Sequence, residues 1–142
     1  MDKEEIIIIS VSIFIISYFL MVLNFQKLNY LDTTYILFGI TIVLFFIISI
    51  KYKYRDFIFI NHIIFGIYVF ILVYFISNKF LKYLNLFVLI IVVLLWCIYN
   101  NCILIQYENR PQNLNNIYGS PLIFFILTVS CFTYLIYSLF YK

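Results

Sequence analysis

Few side chains in this 142-residue sequence are equipped for chemistry, so where they stand matters more than how many there are. The single histidine, His62, follows Asn61. Alone it cannot supply both axial ligands of a buried haem, although it could share one with another subunit or hydrogen-bond a quinone headgroup. Its plainer role is a helix-end imidazole bonded to a carbonyl or to interfacial water. Cys97, Cys102 and Cys131 invite metal or redox readings. Five positions apart on a helix, Cys97 and Cys102 are rotated by ~140° from one another and share neither a bridge nor a metal. The cysteines read as small packing residues. Asn100 and Asn101 leave two readings open, a polar site or interfacial amides reaching water or a partner.

The acidic residues Asp2, Glu4, Glu5, Asp32, Asp56 and Glu108 all fall at the chain end or in expected loops, and no Lys or Arg stands within an apolar run. A path for protons or ions normally holds ionisable groups at depth, so this chain forms no such path alone. The same absence argues against a voltage sensor and against a proton-carrying ATP synthase subunit with a buried arginine, and a Thr-Val-Gly-Tyr-Gly filter motif is missing from the sequence. No catalytic residue, no metal site and no cofactor bound by this chain alone is expected.

The elements that must position these groups follow from composition. Hydrophobic residues make up 66% of the chain, charged ones 11%, and mean hydropathy is +1.10. A soluble domain carries about a quarter charged residues, so lipid must be the main solvent here. Five apolar runs, 6–23, 34–50, 57–77, 84–105 and 122–140, approach or exceed the ~20 residues that cross a bilayer as a helix. Runs such as Ile6-Ile7-Ile8-Ile9 are apolar on every face, which excludes the alternation of a membrane barrel. The expectation is an all-α integral membrane bundle of five helices, one membrane domain over 1–142, with too little chain left over for a soluble head.

Short connections make neighbouring helices antiparallel. The one long loop, 106–121, holds both prolines, and Ser120-Pro121 reads as a cap and first turn of the last helix. Small and hydroxyl residues mark helix contacts. Ser10 with Ser17, Asn61 with Tyr68, and Thr128 with Cys131 and Ser138 each share a face. Tyr18, Tyr30, Tyr35, Tyr52, Tyr54 and other tyrosines near span ends read as an interfacial belt. Large aromatics with three Gly and no Ala pack poorly as an isolated bundle, so other membrane subunits and lipid are the expected partners. The net charge of +3 is spread thinly over the loops and points to no nucleic acid.

The abundance of Ile, Phe, Tyr and Asn without a single Ala reads as an A/T-biased genome: an organelle, a parasite or a large virus. Met1-Asp2-Lys3-Glu4-Glu5 resembles neither a secretory signal nor a mitochondrial presequence, which makes synthesis inside a mitochondrion attractive.

Two stretches carry a family resemblance. The run Ile63-Ile64-Phe65-Gly66-Ile67-Tyr68-Val69-Phe70, and Ile117-Tyr118 followed by Phe124-Phe125-Ile126-Leu127, resemble subunit 6 of respiratory NADH:ubiquinone oxidoreductase, as does the order of five spans with a long loop before the last. Ile64 and Ile67 depart from that family, which usually has a tyrosine two positions before the glycine and a small residue just after it. The resemblance implies a non-catalytic membrane-arm subunit in the mitochondrial inner membrane, supporting quinone-coupled proton translocation. It also implies a π-bulge near Gly66, so Gly66 and Tyr68 are the candidate conformational switch. Two rival readings stand beside it. One is a structural subunit of another respiratory complex or of ATP synthase, or a large-virus membrane protein. The other is a small oligomeric carrier or channel with Asn61, His62, Tyr68, Asn100 and Asn101 along a neutral polar path.

Overall fold

The computed structural model describes residues 2–99, 102, 104, 107 and 121–141, and every regular element among them is helical. The five α-helices are α1 (Lys3–Phe25), α2 (Tyr30–Lys51), α3 (Arg55–Phe70), α4 (Lys79–Tyr99) and α5 (Pro121–Phe140). A 3-10 turn, Leu72–Phe75, prolongs α3. Counting that turn with α3, all five are long and apolar enough to cross a membrane. The chain is an all-α membrane bundle. The 106–121 loop, apart from Tyr107 and Pro121, lies outside the described residues, and so does the cap expected at Ser120.

Helix starts are set by polar side chains that satisfy the free N–H groups of the first turn. Asn29 Oδ1 accepts from Asp32 N at 2.7 Å, so α2 begins before the apolar run at 34–50. Asn78 Oδ1 accepts from Phe80 N at 2.9 Å and Leu81 N at 3.3 Å, so α4 likewise begins before 84. These caps correct one expectation. Asp32 and Lys82 are not loop residues but lie in first helical turns, at 2% and 7% exposure. The positive end of the α2 dipole favours a carboxylate there.

At the other end of α2 the chain reverses within three residues. Lys53 adopts φ 56°, and the bonds Lys53 N to Ile50 O (3.1 Å) and Tyr54 N to Ser49 O (2.9 Å) form a Schellman stop. A lysine stands where glycine is usual, so the stop carries a left-handed strain of about 1 kcal/mol.

The last turns of α1 meet the first turn of α4, where the Tyr18 hydroxyl donates to Phe80 O at 3.1 Å. The packing order is α1–α2–α3–α5–α4 and back to α1, a closed ring of five. Lipid is as apolar as the side chains, so withdrawing them from it stabilises little; close packing and interhelical hydrogen bonds hold the ring. Phe19, Ile36, Ile58, Leu89 and Leu135, one from each helix, are among the most completely buried large side chains. Thr128, Cys131 and Ser138 are buried on one face of α5, and Asn61 and Tyr68 on one face of α3. The expected Ser10–Ser17 face points outward instead. Ser17 Oγ donates to Ile13 O of its own helix at 2.9 Å, and Ser12 is the buried serine of α1.

Gly39 and Gly66 differ sharply. A Cβ added at Gly39 would stand 2.7 Å from the Phe19 ring and closer still to the Tyr68 hydroxyl, whereas one added at Gly66 meets nothing within 4 Å. We therefore expect Gly39→Ala to destabilise the bundle by about 1–3 kcal/mol, the usual penalty of overpacking. Gly66→Ala should change stability by less than about 0.5 kcal/mol or raise it, since alanine is the better helix former. Thermal unfolding in mild detergent, run side by side, checks both.

Candidate functional site

The bundle has two tiers. The tier nearer the α1–α2 and α3–α4 connections is tied by buried polar groups. Asp32 accepts from Ser77 N (3.0 Å) and Ser77 Oγ (2.7 Å), while Asn29 Nδ2 donates to the same hydroxyl at 2.7 Å. One turn further along α2, the Tyr35 hydroxyl donates to Asn85 Oδ1 at 2.8 Å, and Asn85 Nδ2 donates to Leu81 O at 3.1 Å. The Tyr68 hydroxyl donates to Tyr35 O at 3.1 Å, and the two rings stack with centroids 4.2 Å apart. The close approach of Tyr68 to α2 is what requires glycine at position 39. Three helices thus meet through two tyrosines and one asparagine, each buried. On α4, Lys82 lies on the same face as Asn85, with its ammonium 6.0 Å from the Tyr134 ring of α5, at the limit of a cation–π contact.

The end of α3 is irregular by necessity of packing. Its α-helical bonding stops at Ile71 and tightens into the 3-10 turn, which leaves carbonyls for others to satisfy. α5 supplies the donors. Cys131 Sγ reaches Phe70 O at 3.3 Å and the Tyr134 hydroxyl donates to Tyr74 O at 3.1 Å. The Tyr74 hydroxyl meets Ser130 Oγ at 2.8 Å. By contrast α3 is regular α-helix through Gly66.

The other tier holds a cavity of about 400 Å³ to which all five helices contribute. Ile15 of α1, Phe46 of α2, Phe65 of α3, Val92 of α4 and Phe124 of α5 stand on its wall, with Gly66 between Phe65 and Ile67. Phe124 stacks on Trp96 of α4 at 4.1 Å and meets Phe70 of α3 edge-on at 6.2 Å. Ile67, Ile71, Ile123 and Leu127 line it and are also exposed, so its open side lies between α3 and α5. Polar residues on the wall are Ser12, His62 and Cys102, the last two paired with Nε2 to Sγ at 3.3 Å. Outside the spans, partial burial raises the Tyr107 hydroxyl above its ordinary pKa, and the carboxylates of Glu4, Asp2 and Glu5 add to the rise.

The residues singled out in the sequence divide accordingly. Gly66 and His62 border the cavity, whereas Tyr68 belongs to the polar tier. Asn61 is buried on the Tyr68 face. Asn100 and Asn101 lie outside the described residues. Cys97 is exposed, Cys102 lies beyond the end of α4, and Cys131 is buried against α3. Tyr35, expected in the interfacial belt, is an internal junction, and Asn85 and Ser77 were not anticipated at all. The signal was spacing: Asp32 with Tyr35 and Lys82 with Asn85 are three apart, one face each, once the helices are started at their caps. No family model, curated protein or solved structure matches the chain.

A double-mutant cycle tests the junction. Tyr35→Phe and Asn85→Leu are each expected to lower stability by about 1 kcal/mol. The double variant should lose less than the sum, with a coupling of about 0.6 kcal/mol, typical of a membrane hydrogen bond. Unfolding midpoints of the four proteins in one detergent supply the comparison.

Proposed function

We propose that this chain is a non-catalytic subunit of a larger membrane assembly, and that the assembly is the membrane arm of a respiratory NADH:ubiquinone oxidoreductase in the mitochondrial inner membrane. One observation carries the non-catalytic part of this reading. The hydroxyl and amide groups of the buried Tyr35, Tyr68 and Asn85, and the carboxylate of buried Asp32 with Ser77 at its edge, are engaged in bonds from helix to helix or to a loop, and so tie the bundle rather than line a route through it. Large apolar side chains such as Phe14, Phe38, Phe45, Phe87 and Phe125 face outward and offer surface to lipid or to further helices. The choice of complex rests on the resemblance around Gly66 and at the start of the last span. Electron transfer would belong to partner subunits, and this chain would seal helices and transmit movement through α3. Such movement has a defined obstacle, since rewinding α3 near Gly66 would turn Tyr68 away from Tyr35 O.

The test is extraction of native membranes in mild detergent, native gel separation and mass spectrometry of the band containing the chain. Migration with NADH dehydrogenase activity is the expected result. Migration with a different respiratory complex, with ATP synthase or with a viral assembly would replace the named complex and keep the structural role. A small independent species whose reconstitution conducts ions or solutes would overturn both and favour a carrier.

A further inference from the structure

We infer that the cavity beside Gly66 is a binding site for one acyl chain of a membrane phospholipid, entering from the bilayer between α3 and α5. Four observations converge on that occupant. Among the described residues the walls are chiefly isoleucine, valine, leucine and phenylalanine; Ser12, His62, Cys102 and the indole of Trp96 offer polar side-chain atoms, and His62 and Cys102 already face each other. Water needs two to four polar partners to stay in such a space, so most of it is closed to water. Most of the residues concerned belong to helices long and apolar enough to cross a membrane, and the exposed Ile67, Ile71, Ile123 and Leu127 put the open side on the outer, apolar surface of the bundle. Capacity agrees as well. A cavity of ~150 Å³ holds the six carbons of benzene, so about 400 Å³ holds roughly sixteen, the length of a single common acyl chain.

Gly66 is the residue that leaves the room. Nothing lies within 4 Å of a Cβ placed there, and the position is part of the wall. A large side chain at 66 would project into the space without colliding with its neighbours' backbones. The site does not depend on which assembly contains the chain.

The full chain, purified and placed in phosphatidylcholine nanodiscs, would be labelled with a phosphatidylcholine carrying a diazirine midway along one acyl chain. A parallel sample would receive an isoprenoid quinone with the diazirine in its tail. Peptide mass spectrometry then locates the adducts. We expect the phospholipid probe to mark inward residues such as Phe65, Ile91, Val92 and Leu95. In Gly66→Phe this labelling should fall about tenfold, because a plugged pocket no longer buries the ligand surface on which binding rests. Labelling of outward residues such as Ile13 and Leu37 should stay unchanged. Gly66→Leu, a smaller plug, serves if the phenylalanine variant does not elute as a folded species. Inward adducts from the quinone probe alone would overturn the acyl assignment in favour of an isoprenoid tail. Adducts confined to outward residues, equal in wild type and variant, would overturn the site altogether.

Discussion

One constraint shapes most of this bundle: inside hydrocarbon, a polar group that the protein does not satisfy has nothing else to bond, and among the described residues Thr128 Oγ1 is the buried side-chain atom that goes without a partner. The junction of Tyr35, Asn85 and Tyr68 meets it by making each side chain serve another helix or backbone, so that α2, α3 and α4 are joined through groups that would be expensive to separate. Asp32 meets it at the edge, with two donors from Ser77 and the positive end of its own helix. These contacts also fix registers. Stacking of Tyr35 on Tyr68 allows α2 and α3 only one rotation about each other, and Gly39 is where the two come close enough for that stack.

The same constraint accounts for the company α5 keeps. A helix that tightens into a 3-10 turn within the membrane exposes carbonyls, and here the thiol of Cys131 and the hydroxyl of Tyr134 point at them. The break in α3 and the polar face of α5 are therefore one feature seen from two sides. Regular helix through Gly66 and a 3-10 turn after Phe70 mean that the irregular part of the third span is the part that α5 holds.

Much of the fold was legible in the sequence because hydropathy alone selects helices and counts them. Helix starts were not, since hydropathy begins a span at its first apolar run, whereas the backbone begins it at the cap; Asn29 and Asn78 carried that information as N-cap residues, not as apolar ones. Misplacing those starts hid Asp32, Tyr35 and Lys82 among expected loop and belt positions, and left Asn85 at the edge of a span rather than within it. Serines misled for another reason. Ser10 and Ser17 satisfy the small-residue rule by spacing, yet a hydroxyl that bonds its own helix has no need of a neighbour, and Ser17 does so. The cavity was beyond reach of any linear reading, because a void belongs to the mutual fit of five helices. Only Gly66 hinted at it, singled out by family resemblance for a different role.

The ring order has a consequence for biogenesis. α1, α2 and α3 contact one another in the order in which they leave the ribosome, but α4 must return to α1, and α5 must then slot between α4 and α3. The fifth helix is thus a keystone. Until it is inserted the future cavity is a furrow open to the bilayer along its length, and its arrival narrows that furrow to the slot between α3 and α5.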